Sequence, residues 1–294
     1  MAALLPSLLP LLLLAKSTIS AAVAPTVPIA PGLHMPLIND GVSDRSIWIG
    51  AGGRGLDTAL SYGDSDQEDV LKSIKASGLP RSAFFVTTKV PCCPARAFPF
   101  PYAERCAGPR NATADAEHNA KLLGSVPDLV LMHWPCDDFE GTLATWREME
   151  TLVERGLARS IGVSNFNSSL LAALLAEAKV KPAVNQCGFS IAGHNESRWG
   201  RDDATLHASH AAGVAYSAYS PLGGWTRTDV LHHPTVVKVA LAHKKTTAQV
   251  ALRWVVQQQV VAVTSAKNAE YAKEDLNIFD FVLTASEMAE LSAI

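Results

Sequence analysis

Four residues in the first half of the chain have side chains suited to moving a proton: Asp57, Tyr62, Lys89 and His133. Asp57 closes an apolar run, and Tyr62 follows five residues later, just before Gly63. Lys89 closes the run Phe84-Phe85-Val86-Thr87-Thr88, and His133 directly follows Asp128-Leu129-Val130-Leu131-Met132. A phenol beside an ammonium is a proton donor, because a nearby cation favours the phenolate and lowers a pKa that is otherwise near 10. A carboxylate at Asp57 would hold Lys89 in place and keep it charged. An imidazole at His133 would orient a carbonyl oxygen, provided its tautomer is defined. A group that protonates a developing alkoxide needs a hydride donor beside it. Further along, Tyr219 offers an aromatic face to a flat ring, and Ser164, Asn165 and Gln186 match the edge of a carboxamide. Together they suit a nicotinamide.

Other chemistries find less support. No Gly-x-Ser-x-Gly turn presents a nucleophile. No metal-ligand spacing occurs near these positions, and His232-His233 reads as a surface loop pair, so no metal is expected. A buried capping Asp and a core Tyr would be the structural reading of Asp57 and Tyr62 taken in isolation.

The elements that must position these groups are short. Apolar runs predict strands at 55–59, 84–88, 128–132, 160–163, 183–186, 214–219 and 260–264. Helical spacing or helix-end signals predict helices at 67–77, 112–123, 142–154, 170–178, 202–212, 235–243, 247–258, 270–276 and 286–292. Continuous apolar strands are those of a parallel sheet covered on both faces. Counted from Gly55, strand-then-helix units are read eight times, which predicts an α/β fold of the (β/α)8 TIM barrel type. No Gly-x-Gly-x-x-Gly turn follows the first strand, against a Rossmann domain. Asp57, Lys89, His133, Ser164, Asn165, Gln186 and Tyr219 all fall at or just past the C-terminal ends of predicted strands, the rim on which barrel enzymes build their sites. Residues 25–41, rich in Pro and Gly, read as irregular, a hairpin over one end of the barrel. Residues 91–109 form a long proline-rich loop.

The 294 residues are 48% hydrophobic and 18% charged with net charge −3, which suits a large core and gives no general attraction to nucleic acid. Residues 1–24 read as a leader. Residues 4–15 are apolar, and a small-residue zone allows cleavage after Ala22, although no Lys or Arg precedes the apolar run. The run is too short for an ordinary membrane span. A secretory or organelle-targeted route is therefore expected, with the cytoplasm as the location if the leader does not act. Residues 25–294 form the barrel. The five cysteines, Cys92, Cys93, Cys106, Cys136 and Cys187, make no paired framework. One disulfide within 92–106 is possible in an oxidising compartment. The sequons at Asn111, Asn167 and Asn195 matter only on the secretory route.

The chain resembles the aldo-keto reductase family. The matching stretches are Leu56-Asp57-Thr58-Ala59-Leu60-Ser61-Tyr62-Gly63, Thr87-Thr88-Lys89-Val90, Leu131-Met132-His133-Trp134-Pro135, Ile161-Gly162-Val163-Ser164-Asn165-Phe166, Ala218-Tyr219-Ser220-Pro221-Leu222-Gly223 and Val250-Ala251-Leu252-Arg253-Trp254. Ile278-Phe279-Asp280-Phe281 is similar to the family's closing segment, so the likeness covers about residues 50–294. The resemblance implies reduction of an aldehyde or ketone, with NADPH bound in extended form and NADH as the other possible donor. It implies a tetrad of Asp57, Tyr62, Lys89 and His133, with Tyr62 as general acid. It implies that Tyr219 stacks on the nicotinamide, that Ser164, Asn165 and Gln186 hold the carboxamide, and that Ser220 and Leu222 also meet the cofactor. A monomer with no nucleic-acid partner is expected. Some relatives are cofactor-binding regulatory subunits of channels with little turnover, which is the alternative function.

Several positions depart from the family pattern. Asn39-Asp40-Gly41-Val42 stands where a glycine-rich first strand is usual, and Thr264-Ser265-Ala266 replaces the run that meets the cofactor's 2′-phosphate. Tyr271 takes the place of a phosphate-binding Arg, and Glu274-Asp275 takes that of the adenine-edge pair. Ser265, Glu274 and Asp275 are thus the expected contacts at that end, with Lys267 or Lys273 as substitute cations. The chain ends soon after Leu291, so an open substrate pocket is expected, walled by Trp134, Trp225 and the 91–109 loop.

Overall fold

A computed structural model of the chain describes residues 24–92, 111–224 and 226–294. The strands in chain order are β1 (Thr26–Ala30), β2 (Leu33–Pro36), β3 (Ile38–Asp40), β4 (Gly55–Asp57), β5 (Phe85–Val90), β6 (Leu129–Met132), β7 (Ile161–Ser164), β8 (Val184–Gly188), β9 (Asn195–Glu196), β10 (Arg201–Asp202), β11 (Ala215–Tyr219) and β12 (Val261–Thr264). Eight of them close into a barrel in the order β11-β12-β3-β4-β5-β6-β7-β8, every neighbouring pair parallel. Helices separate successive staves, among them Asp64–Ala76, Ala112–Leu123, Phe139–Glu154 and Ser168–Glu177. The fold is a (β/α)8 TIM barrel.

Physical chemistry selects this arrangement locally. β5, β6, β7 and β12 are buried at every residue, as strands covered on both faces must be. Helix Thr247–Val256 begins with a reciprocal cap between Thr246 and Gln249 and buries Val250, Ala251, Trp254 and Val255 on the barrel. Trp146 and Trp254 are completely buried, and truncating either to Ala removes roughly 3–5 kcal/mol. The hairpin of β1 and β2 closes the barrel floor. Its Leu33 and Met35 cluster with Phe85, Leu129, Val184 and Val261, residues at the N-terminal ends of their strands. That leaves the C-terminal rim as the open end.

Three expectations need correction. Only seven barrel strands lie at or beyond Gly55, and the eighth is β3, inside the stretch read as irregular. Its three residues include the polar Asn39 and Asp40, so no apolar run announces it. The first helix read from the sequence is 67–77, but an earlier one precedes β4. Arg45–Ala51 is a helix, started by the Asp44 side chain accepting from the Ser46 N–H and ended at Gly52 with φ 109°. Its Ile47-Trp48-Ile49 run imitates a strand. Finally, Cys92 pairs with Cys136, not within 92–106, because β5 and β6 are neighbours and both cysteines lie just beyond them. Cys93 and Cys106, residues 1–23 of the expected leader at 1–24 and most of the 91–109 loop lie outside the described residues.

Candidate active site

The tetrad is assembled by four consecutive features of the rim. Asp57 ends β4, and the 3-10 turn Leu60–Tyr62 carries the phenol back over it. Lys89 is on β5, and His133 immediately follows β6, its N–H bonded to the carbonyl of Val90. The Lys89 ammonium donates to the Asp57 carboxylate, to the Thr58 carbonyl at 3.0 Å and to the Tyr62 phenol oxygen at 3.4 Å. A buried chain of amides fixes the backbone behind it. Thr88 Oγ1 donates to Gln67 Oε1, Gln67 Nε2 to Asn119 Oδ1, and Asn119 Nδ2 to the Lys89 carbonyl, at 2.9, 2.7 and 3.2 Å.

Burial pushes the Lys89 pKa down, but the Asp57 carboxylate and the Tyr62 oxygen outweigh it and hold the ammonium above its ordinary value. Lys89 is therefore charged at any physiological pH, and that charge faces the phenol. His133 behaves oppositely. Burial, reinforced by the Lys89 charge, holds its imidazole well below 6.5, so the ring is neutral. Tyr62 and His133 stand edge to face with ring centroids 5.7 Å apart.

The second half of the rim carries the groups expected to meet a nicotinamide. Asn165 and Ser220 follow β7 and β11 in left-handed conformations, φ 65° and 49°, which costs a serine roughly 1 kcal/mol and is typical of functional rims. Tyr219 donates to Asn165 Oδ1 at 2.7 Å, and Asn165 Nδ2 donates to the His133 carbonyl at 3.0 Å and to Ser164 Oγ at 3.0 Å. Gln186 Nε2 donates to Asp57 Oδ2 at 2.9 Å, linking the two halves. Asp57, Tyr62, His133, Trp134, Ser164, Asn165, Gln186, Tyr219, Ser220 and Ser265 all line one cavity of about 360 Å³. Such a volume is in the range of small-molecule sites.

Not every expected residue lies on that cavity. Leu222 packs against the core. Asp275 is buried, accepts from Thr264 Oγ1 at 3.0 Å, and has its carboxyl pushed up to about 6 by burial. Glu274 is half-buried, while Lys267, Tyr271 and Lys273 are exposed. Trp225 falls outside the described residues.

The structure adds five residues that sequence reasoning missed. Ser61 Oγ is 3.1 Å from His133 Nδ1. Gly41 and Val42, just past β3, line the cavity, and Val42 O accepts from Ser265 Oγ. Arg201 also lines it, and Trp199 backs Trp134 edge-on at 4.9 Å between centroids. The available signal was the aperiodic polar stretch between β8 and helix Asp203–Ala211, too long for an ordinary connection.

Comparison with known proteins bears on family and fold. The aldo/keto reductase family model matches residues 47–294. A morphine 6-dehydrogenase from Pseudomonas putida is 33% identical over 290 residues, covering 92% of this chain and 91% of its own. The crystal structure of an aldo/keto reductase from Brucella melitensis superposes with a TM-score of 0.76 at 30% identity, over 92% of this chain and 99% of its own. An aldo-keto reductase from Bombyx mori, solved in complex with NADP, has a TM-score of 0.77 at 24% identity over 93% of both chains and shares the fold.

Proposed function

The chain belongs to the aldo-keto reductase family, and from that premise we propose that it reduces an aldehyde or ketone to the alcohol with a reduced nicotinamide cofactor. The observation that carries the reading is the charged Lys89, held by Asp57 and turned toward the Tyr62 hydroxyl on the wall of a small-molecule cavity. A binding module has no use for an acid activated in this way.

The residues present fit such a cofactor at its nicotinamide end. Ser164, Asn165 and Gln186 gather amide and hydroxyl groups beside the ring of Tyr219, in the same cavity as the tetrad. Bound there, the cofactor would supply the hydride. At the far end the fit is less complete. Ser265 is the cavity-lining residue, and Lys267 and Lys273 are exposed cations. We therefore read NADPH as the donor, with NADH accepted.

The chain's own residues do the rest. The neutral His133 ring donates one N–H and sets the direction of the substrate oxygen. Tyr62 gives its proton to that oxygen as negative charge develops, and the Lys89 charge stabilises the phenolate left behind. Asp57 keeps Lys89 charged and stationary. Trp134, backed by Trp199, walls the cavity beside them.

The test is turnover. Purified protein should oxidise NADPH in the presence of a simple aromatic aldehyde, and NADH more weakly. Tight binding of both nucleotides with no oxidation across a panel of aldehydes would favour a regulatory barrel and sink this reading.

A further inference from the structure

Arg201 reaches the cavity through an excursion of the chain between β8 and helix Asp203–Ala211. The turn Ser197–Trp199 and the paired strands β9 and β10 carry it back over the barrel mouth. The excursion is held firmly. Gly200, at φ 70°, accepts from the buried Tyr216 hydroxyl at 2.6 Å. A Cβ at Gly200 would stand 2.3 Å from the Phe166 carbonyl, so glycine is required there. One residue beyond Arg201, Asp202 caps the next helix through the Thr205 N–H. Arg201 is thus fixed on both sides, and its side chain is only 17% exposed.

Its guanidinium donates to the Tyr219 hydroxyl from Nη2 at 2.8 Å and from Nε at 3.2 Å. Nη1 forms an ion pair at 3.8 Å with the partly exposed carboxylate of Glu196. Among the described residues lining the cavity, Arg201 is the Lys or Arg side chain, facing the same space as Tyr62 and His133. Arg201 approaches Tyr219 from the β8 side of β11. Ser265 lies past β12, the other strand that pairs with β11, and also lines the cavity.

We propose that Arg201 selects carbonyl substrates that also carry a carboxylate, such as oxo acids or formyl-substituted acids. This rests on the carbonyl-reduction reading above and adds the substrate class. An arginine fork matches a carboxylate in plane and charge, and in a cavity partly shielded from water such pairs are the strong hydrogen bonds. The substrate's carbonyl oxygen meets Tyr62 and His133 while its carboxylate meets Arg201.

The experiment compares 3- and 4-formylbenzoate with their methyl esters, which keep the skeleton and remove the charge. Wild type should favour at least one acid over its ester in kcat/KM by about tenfold or more. In Arg201→Met that ratio should fall to about one or below, and Arg201→Lys should give an intermediate ratio. Benzoate should inhibit the wild type competitively against the ester and lose that effect in Arg201→Met. The ratio is the readout because Arg201 also holds Tyr219, so absolute rates can fall for both substrates. Wild-type preference for both esters would overturn the proposal, as would equal losses for acid and ester in Arg201→Met. Turnover of the esters with no acid preference removes this inference and leaves carbonyl reduction standing. No turnover of any of the four aldehydes removes both.

Discussion

Ser61 Oγ lies 3.1 Å from Nδ1 of His133, across 72 residues of sequence. Because burial and Lys89 keep that ring neutral, one ring nitrogen carries the proton and the other does not. A Ser61 hydroxyl that donates to Nδ1 leaves Nε2 as the protonated nitrogen, the one available to a substrate oxygen. That donation would make Ser61 a positioning residue in the proposed reaction. Ser61→Ala should lower kcat/KM by roughly tenfold, with cofactor affinity unchanged. Nitrogen NMR of the imidazole should show a mixed tautomer in the variant and a single one in the wild type. A single unchanged tautomer in Ser61→Ala would remove this role.

In the proposed reaction Tyr62 is the general acid. Tyr62→Phe should lose roughly 10²–10⁴ in kcat while nucleotide binding, followed by fluorescence quenching, changes little. Retention of most activity would show that another group supplies the proton.

Asp57 and Lys89 are a fully buried ion pair, so their stability and their function separate. Lys89→Met leaves an uncompensated carboxylate and should cost about 3–5 kcal/mol in urea unfolding. Adding Asp57→Asn to that variant should recover much of the stability and none of the activity. A double variant as unstable as the single one would mean that packing, not charge, sets the cost.

The Cys92–Cys136 disulfide joins the segments that follow β5 and β6, three residues beyond Lys89 and three beyond His133. It closes a loop with a sequence separation of 44 residues, for which about 2–4 kcal/mol is expected. Cys136→Ala should lower the Tm of the oxidised protein and bring it level with that of reduced wild type. A Tm unaffected by both changes would show that the bridge adds no stability.

Asp40, at the end of β3, has one carboxylate oxygen accepting from Ser43 and the other buried without a hydrogen-bond partner among the described residues. Burial pushes its pKa up to about 7, against the Ser43 hydrogen bond and the Arg45 charge. The folded state therefore holds this proton more tightly than the unfolded chain does. Its contribution is complete below about 3.8 and is lost as pH rises through about 7. Asp40→Asn should be more stable than wild type by about 1–3 kcal/mol at pH 8, and the gain should vanish toward pH 4. A constant difference across that range would mean that Asp40 does not titrate there.

Residue types in their order were enough to read a barrel, its functional rim and the placing of Asp57, Tyr62, Lys89 and His133 along it. Each of these is written in short-range patterns: a continuous apolar run where a strand is buried on both faces, and a polar residue where the run stops. Asp57, Lys89, His133, Ser164, Asn165 and Tyr219 were legible for that reason. β3 and helix Arg45–Ala51 were not, because three residues with two polar members carry no apolar period and a seven-residue helix shows barely two turns. What joins the groups was decided only by closure of the barrel. Strands set side by side or across the closed barrel bring together residues far apart in sequence: Cys92 and Cys136, Gln186 and Asp57, Ser61 and His133, Arg201 and Tyr219. Such contacts depend on register, loop path and rotamer together, and no local pattern of residue types encodes those.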